Sequence, residues 1–178
     1  MRADSGWVEL NGTRYENPPR SLLAQRGLFY LGETDNLAWS LTVRQHFEEI
    51  ARRFGAAPNA DALDLLEIPS LSDRSVHQLS SGEIKRVEMA LAHARNPSCV
   101  LADEIMRSVD PIVCDVLGRS LRILADRGCA VVVTGHEVNY LMPFLDRVTW
   151  VTSGTTYDLG SRDSALAQET FAREYLGS

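Results

Sequence analysis

Asp103 and Glu104 stand side by side at the end of a short apolar run, V-L-A-D-E-I, residues 100–105. Adjacent carboxylates at such a point suit a hydrated divalent cation, with one acid on the cation and the other on a water molecule beside it. If the run is a strand of a parallel sheet, Asp103 reaches the carboxyl edge, where ligands bind. The alternative is an exposed strand end with two solvated acids. His136 follows a second apolar run in V-T-G-H-E, 133–137, and would face the same edge if the two strands are neighbours. A lone histidine is otherwise a surface residue or a satisfied hydrogen-bonding group.

Two further stretches combine a structural and a chemical use. In L-S-S-G-E-I-K-R, 79–86, Ser80 and Glu83 form an S-x-x-E capping box, which satisfies free N–H groups of the helix that follows. With Gly82 near its start, that helix N-terminus is also suited to an anion. The two uses are compatible, because a cap leaves other N–H groups free. In S-V-D-P, 108–111, Asp110 reads as an N-cap and Pro111 as the first helical residue.

These residues need elements to position them. W-V-E-L-N-G-T at 7–13 reads as a strand closed by an Asn-Gly turn, and G-L-F-Y-L at 27–31 as a buried strand. Val43, Phe47, Ile50 and Phe54 recur at helical spacing, and a further turn or two of helix follows at 62–68. Then the pattern becomes regular. A helix at 81–95, with Ile84, Val87, Leu91 and Ala94 on one face, leads to a strand at 99–103 and a helix at 111–127. A strand at 129–134, a helix at 137–145, a strand at 147–152 and a helix near 163–176 complete it. Strands alternating with such helices imply a mostly parallel sheet flanked by helices.

The 178 residues, 44% hydrophobic, suffice for one sizeable core. A net charge of −6 argues against a nucleic-acid surface. Cys99, Cys114 and Cys129 show no C-x-x-C spacing and read as small buried hydrophobes, an odd number that suits a reducing cytosol. No apolar run approaches the roughly 18 residues of a membrane helix.

In order and spacing the motifs resemble the ATP-binding subunit of ABC transporters. L-S-S-G-E is similar to the signature motif, with Ser81 where glycine is usual. V-L-A-D-E resembles the Walker B strand, with Ile105 in place of proline; Val109–Asp110 resembles the D-loop, and His136 the switch histidine. F-Y-L-G-E at 29–33 followed by L-T-V is similar to the Q-loop, with Glu33 in place of glutamine. The tail R-E-Y-L-G is similar to that of lipopolysaccharide-export and branched-chain amino-acid ATPases.

The resemblance implies an α/β, P-loop NTPase-like fold: a mostly parallel sheet flanked by helices, in one domain over 1–178 with a small helical subdomain at about 41–95. It implies ATP and Mg2+ as ligands, with Asp103 and Glu33 toward the metal, Glu104 on the attacking water and His136 on the γ-phosphate. Ser80, Ser81, Gly82, Glu83 and Asp110 would meet nucleotide held by a second ATP-binding subunit in a head-to-tail dimer. A transmembrane permease subunit would be the other partner, placing the chain in the cytoplasm at the inner face of the membrane. Without coiled-coil heptads and with acidic charge, a DNA-repair ATPase fits less well.

One expected part is absent. A phosphate loop reads G-x-x-x-x-G-K-[ST], yet the 178 residues contain no Gly-Lys pair, and Lys85 is their sole lysine. The resemblance places that loop, and the helix it opens, before Met1, so the domain is expected to be N-terminally incomplete. The alternative is a degenerate module that hydrolyses nothing and donates its signature motif to a partner's ATP site. In either case apolar sheet edges are expected to be exposed.

Overall fold

The computed structural model describes residues 5–32, 36–55 and 60–175. Strands Val8–Leu10 (β1) and Thr13–Tyr15 (β2) pair antiparallel. Their turn residues Asn11 and Gly12 have φ of 52° and 72°, the left-handed pair that a tight two-residue hairpin requires. The Asn11 side chain donates to the Arg26 carbonyl at 3.0 Å and to Ser98 Oγ at 3.1 Å, which ties the hairpin to the chain entering the main sheet.

That sheet is parallel and three-stranded among the described residues, in the order Leu28–Leu31 (β3), Cys99–Asp103 (β4), Ala130–Thr134 (β5). Helix α1, Arg20–Gln25, precedes β3. Helices α2 (Val43–Phe54), α3 (Ala60–Leu65) and α4 (Ser81–Arg95) lie between β3 and β4 in sequence. The crossover from β4 to β5 is helix α5, Pro111–Asp126. Each crossover begins on a residue suited to it. Thr42 and Gln45 form a reciprocal capping box at α2, and Gly55 closes that helix at φ 65°. Ser80 and Glu83 do the same for α4, and Asp110 with Pro111 starts α5, as the sequence implies.

Three expectations need correction. The run 27–31 is not buried throughout: Leu31 is covered while Tyr30 faces out, because successive side chains of a strand point to opposite faces of the sheet. Helix α4 was expected to bury one face, but nearly every residue from Ile84 to Ala94 is buried. It packs against α2, α5 and β3, and its alanines 90, 92 and 94 let those neighbours approach on several sides. Finally, the strand at 147–152 does not continue the parallel sheet. Strand β6, Arg147–Thr152, follows helix α6, Val138–Leu141, and pairs antiparallel with β7, Thr155–Ser161. The intervening Ser153–Gly154 turn, at φ 49° and 75°, is a hairpin signal of the same kind as Asn11–Gly12. Helices α7 (Arg162–Leu166) and α8 (Glu169–Tyr175) cover this hairpin, with Phe171 edge-on to Trp150.

The main core runs without a break from Val43, Leu66 and Val76 through α4 to Val100 in the sheet and Leu117 on α5. The three cysteines are free; Cys114 and Cys129 are buried as expected while Cys99 is only half-buried, and desolvation raises the pKa of each thiol. Among the described residues β5 pairs with β4 on one side only, and on one face of the strand Val132 is 53% exposed.

His93 gives this core a pH limit. It is buried on α4, 2.7 Å from Ser120 Oγ of α5, and burial, reinforced by Arg127, lowers its pKa from 6.5 to about 4. The folded state disfavours the charged imidazole, so the unfolded chain takes up the proton first as pH falls. The contribution of the neutral His93 is therefore fully present above pH 6.5 and is lost as the pH falls from 6.5 to about 4. At about 1.4 kcal/mol per pH unit, the loss approaches roughly 3 kcal/mol. Urea midpoints at pH 7 and 4.5 should show this fall, and His93→Gln should flatten it.

Candidate functional site

The register of the sheet builds the site. Asp103 is the last residue of β4 and pairs with Thr134, the last of β5. Thr134 Oγ1 donates to Asp103 Oδ1 at 2.6 Å, and the Tyr30 hydroxyl on β3 donates to Oδ2 at 3.0 Å. Both carboxylate oxygens are thus oriented by neutral hydroxyls, so the negative charge is fixed in direction but not neutralised. An ionised carboxylate has about four acceptor sites, which leaves room for the water ligands of a cation.

At Glu104 the backbone turns out of the sheet. Its φ of 51° lies in the left-handed region, where a side chain costs about 1–2 kcal/mol. The surrounding sheet holds this conformation in place: the Glu104 N–H donates to the Thr134 carbonyl at 3.1 Å. One carboxylate oxygen of Glu104 then lies 3.3 Å from His136 Nε2. The other lies 3.5 Å from the Arg107 guanidinium, near enough for charge attraction. Glu104 is sheltered, with 23% of its side chain exposed, while the His136 side chain is 79% exposed and can reach a ligand.

Asp103, Glu104 and His136 are therefore brought to one rim, at the carboxyl ends of β4 and β5. Glu33 lies outside the described residues, as does the end of the tail at 176–178. The signature residues form a second group. Ser80 Oγ accepts from the Glu83 N–H at 3.3 Å, the Ser80 N–H donates to Glu83 Oε2 at 2.7 Å, and Arg74 donates to Glu83 Oε1 at 2.7 Å. The hydrogen bond from the Ser80 backbone is the main cause that lowers the Glu83 pKa. The side chains of Ser80 and Glu83 are thus engaged in the cap, and ligand donors at this helix end are the backbone N–H groups of Ser81 and Gly82. Gly82 lies against the start of α5 and the turn before it: a Cβ there would sit 3.4 Å from Val113 and 3.8 Å from Val109. Asp110 Oδ1 accepts from the Ile112 N–H at 2.8 Å, a cap at the start of α5.

Sequence reasoning missed Tyr30, Thr134 and Arg107. Thr134 had a signal, since it is the residue opposite Asp103 once both strands are assigned. For a cation, among the described residues no group of three or more His, Cys, Asp or Glu side chains is arranged as a metal cage. Magnesium does not need one. It keeps several waters and takes one or two carboxylates plus substrate phosphates, so the single oriented Asp103 fits that chemistry.

The family profile described as "ABC transporter" matches residues 1–107, more than half of the chain. A probable ABC transporter ATP-binding protein of Azorhizobium caulinodans is 31% identical over 183 residues, covering 99% of this chain and 65% of that protein. The lipopolysaccharide export system ATP-binding protein LptB of Haemophilus influenzae is 30% identical over 184 residues, covering 99% of this chain and 76% of its own length. Among solved structures, the ADP conformation of MJ1267, an ATP-binding cassette of an ABC transporter, superposes with a TM-score of 0.77 at 19% identity, over 100% of this chain and 79% of that one. The dimeric cassette MJ0796 gives 0.71 at 22% identity, over 89% and 75%. The two structures share the fold, and the matched profile and LptB supply the kinship: the chain belongs to the ABC transporter family of ATP-binding proteins.

Proposed function

We propose that this chain is the ATP-handling part of an ABC transporter subunit, with the rim formed by Asp103, Glu104 and His136 acting on the outermost phosphoryl group of ATP. The observation that carries this reading is the convergence of those three side chains at the ends of β4 and β5, with Glu104 3.3 Å from His136. Asp103, oriented by the hydroxyls of Thr134 and Tyr30, would hold magnesium through its water ligands. Glu33, placed by sequence resemblance, is the second metal-side carboxylate. Magnesium, when bound, neutralises phosphate charge and polarises the terminal phosphoryl oxygens. Glu104 orients the attacking water and accepts its proton, and His136 directs an N–H at the terminal phosphate. Arg107, beside Glu104, adds positive charge at the same rim.

The signature helix has a separate task in this reading. Ser81 and Gly82 present N–H groups to nucleotide held by a second ATP-binding subunit, while Ser80 and Glu83 keep the helix end closed and Asp110 fixes the neighbouring α5. A transmembrane permease subunit receives the work, with this chain at the cytoplasmic face of the membrane. Among the described residues no helix is long and apolar enough to cross a bilayer itself.

Departures within the motifs favour a second reading: Glu33, Ser81 and Ile105 stand where the family usually has glutamine, glycine and proline. In that reading this chain serves as a signature-donating module and the acid rim is idle. The ATPase purified from its host with its natural partners, carrying Glu104→Gln, separates the two. Loss of hydrolysis supports the active rim; full activity leaves only the module.

A further inference from the structure

Lys85 and Glu88 lie outside the rim, yet they are the most deeply buried charges of α4, with 9% and 3% of their side chains exposed. Lys85 Nζ donates to Glu88 Oε2 at 3.0 Å and to the Gly32 carbonyl at 2.9 Å. The other Glu88 oxygen, Oε1, accepts from the Asn36 N–H at 2.8 Å. The pair therefore grips the backbone at two points where the chain has left β3. As a source of stability alone it is a poor choice, because apolar residues of equal volume generally serve a core at least as well as a desolvated ion pair. What apolar residues cannot do is bind one chosen carbonyl and one chosen N–H.

Those two backbone groups connect both parts of the proposed machinery. Gly32 is two residues beyond Tyr30, whose hydroxyl holds Asp103 at 3.0 Å. Lys85 is two residues beyond Glu83, which closes the cap that begins the signature helix. The bonded route runs from Asp103 to Tyr30, along the end of β3 to Gly32, and through Lys85 to α4. We propose that Lys85 and Glu88 are a positioning pair that fixes the exit of β3 to the signature helix, so that the acid rim and the signature motif are set relative to each other by one buried clamp. The functional consequence rests on the reading above, but the clamp does not, and it is tested without nucleotide.

The test is native-state hydrogen exchange on the whole 178-residue chain. In the unaltered protein the Asn36 amide should open together with the amides of α4, sharing their dependence on denaturant. The double variant Lys85→Met/Glu88→Leu removes both charges at once and avoids leaving either one buried alone. It should keep β4 protected while Asn36 exchanges at least tenfold faster and no longer follows α4. Glu88→Gln, which retains an acceptor for the Asn36 N–H, should restore the shared opening. The clamp is overturned if Asn36 stays protected in the double variant. It is equally overturned if Asn36 and β4 lose protection together, as a purely stabilising pair would give.

Discussion

Glu104→Gln should lower magnesium-dependent ATP hydrolysis of the natural assembly by roughly 10²–10⁴-fold, the range a positioned general base contributes. The substitution keeps size and an acceptor oxygen toward His136, 3.3 Å away in the unaltered protein, but removes the ability to take a proton from water. Folding should be unaffected, since the left-handed turn at Glu104 is held by its N–H to the Thr134 carbonyl, a backbone bond that the substitution leaves intact. Nucleotide binding should persist, because Asp103 and its hydroxyl partners are untouched. Steady-state hydrolysis and binding of a labelled nucleotide, measured on the same preparations, check the two halves of this expectation.

The second large effect concerns the 178-residue polypeptide by itself. It should bind MgATP several thousandfold more weakly than a cassette with a phosphate loop. Such a loop supplies backbone N–H donors and a lysine, and each charge-assisted bond contributes about 1.5–3 kcal/mol. Three such bonds amount to on the order of 5 kcal/mol, which is a factor of several thousand. The rim cannot offset this: Asp103 and Glu104 are acids, and Arg107, its nearby cation, already faces Glu104. Lys85 cannot serve either, since its ammonium is committed to Gly32 and Glu88 inside the protein. Titration of a fluorescent ATP analogue with magnesium should show binding no tighter than the millimolar range. Micromolar affinity would mean that some other group in the chain cradles phosphate.

How much of this could be read from the sequence depends on which forces are local. The caps at Ser80 and Asp110 are set by side chains within three residues of the helix start, and the structure forms both. The Thr42–Gln45 box carries the same local signal but was not read. The rim was legible because Asp103 and His136 each follow a short apolar run, and parallel pairing of those runs brings their ends together. What failed was long-range. Tyr30 sits in an apolar run that reads as buried, yet it turns outward and finds Asp103, 73 residues away. Helix α4 shows one apolar stripe by periodicity, but the packing of α2, α5 and β3 around it also buries Lys85, Glu88 and His93. The Lys85–Glu88 spacing marks an ordinary surface pair on a helix; only burial makes it a clamp. Strand β7 was passed over because T-T-Y-D-L-G-S alternates weakly, although the Ser-Gly turn before it was a usable signal.

The family kinship also explains why an acidic chain should handle an anion. With a net charge of −6, the proposed attraction of nucleotide cannot come from the overall field and rests on magnesium and on donors aimed at the phosphates. That places the weight on the geometry of Asp103, Glu104 and His136. The most direct measurement uses manganese in place of magnesium, with millimolar ATP and the isotopically labelled 178-residue chain, followed by NMR. Manganese broadens nuclei close to it, so the amides of residues 103–104 and 134–136 should broaden first, and Asp103→Asn should abolish the effect. Broadening centred elsewhere, for instance at the exposed acids Asp126 and Asp146, with the rim left sharp, would contradict the assignment of the rim as the metal–nucleotide site.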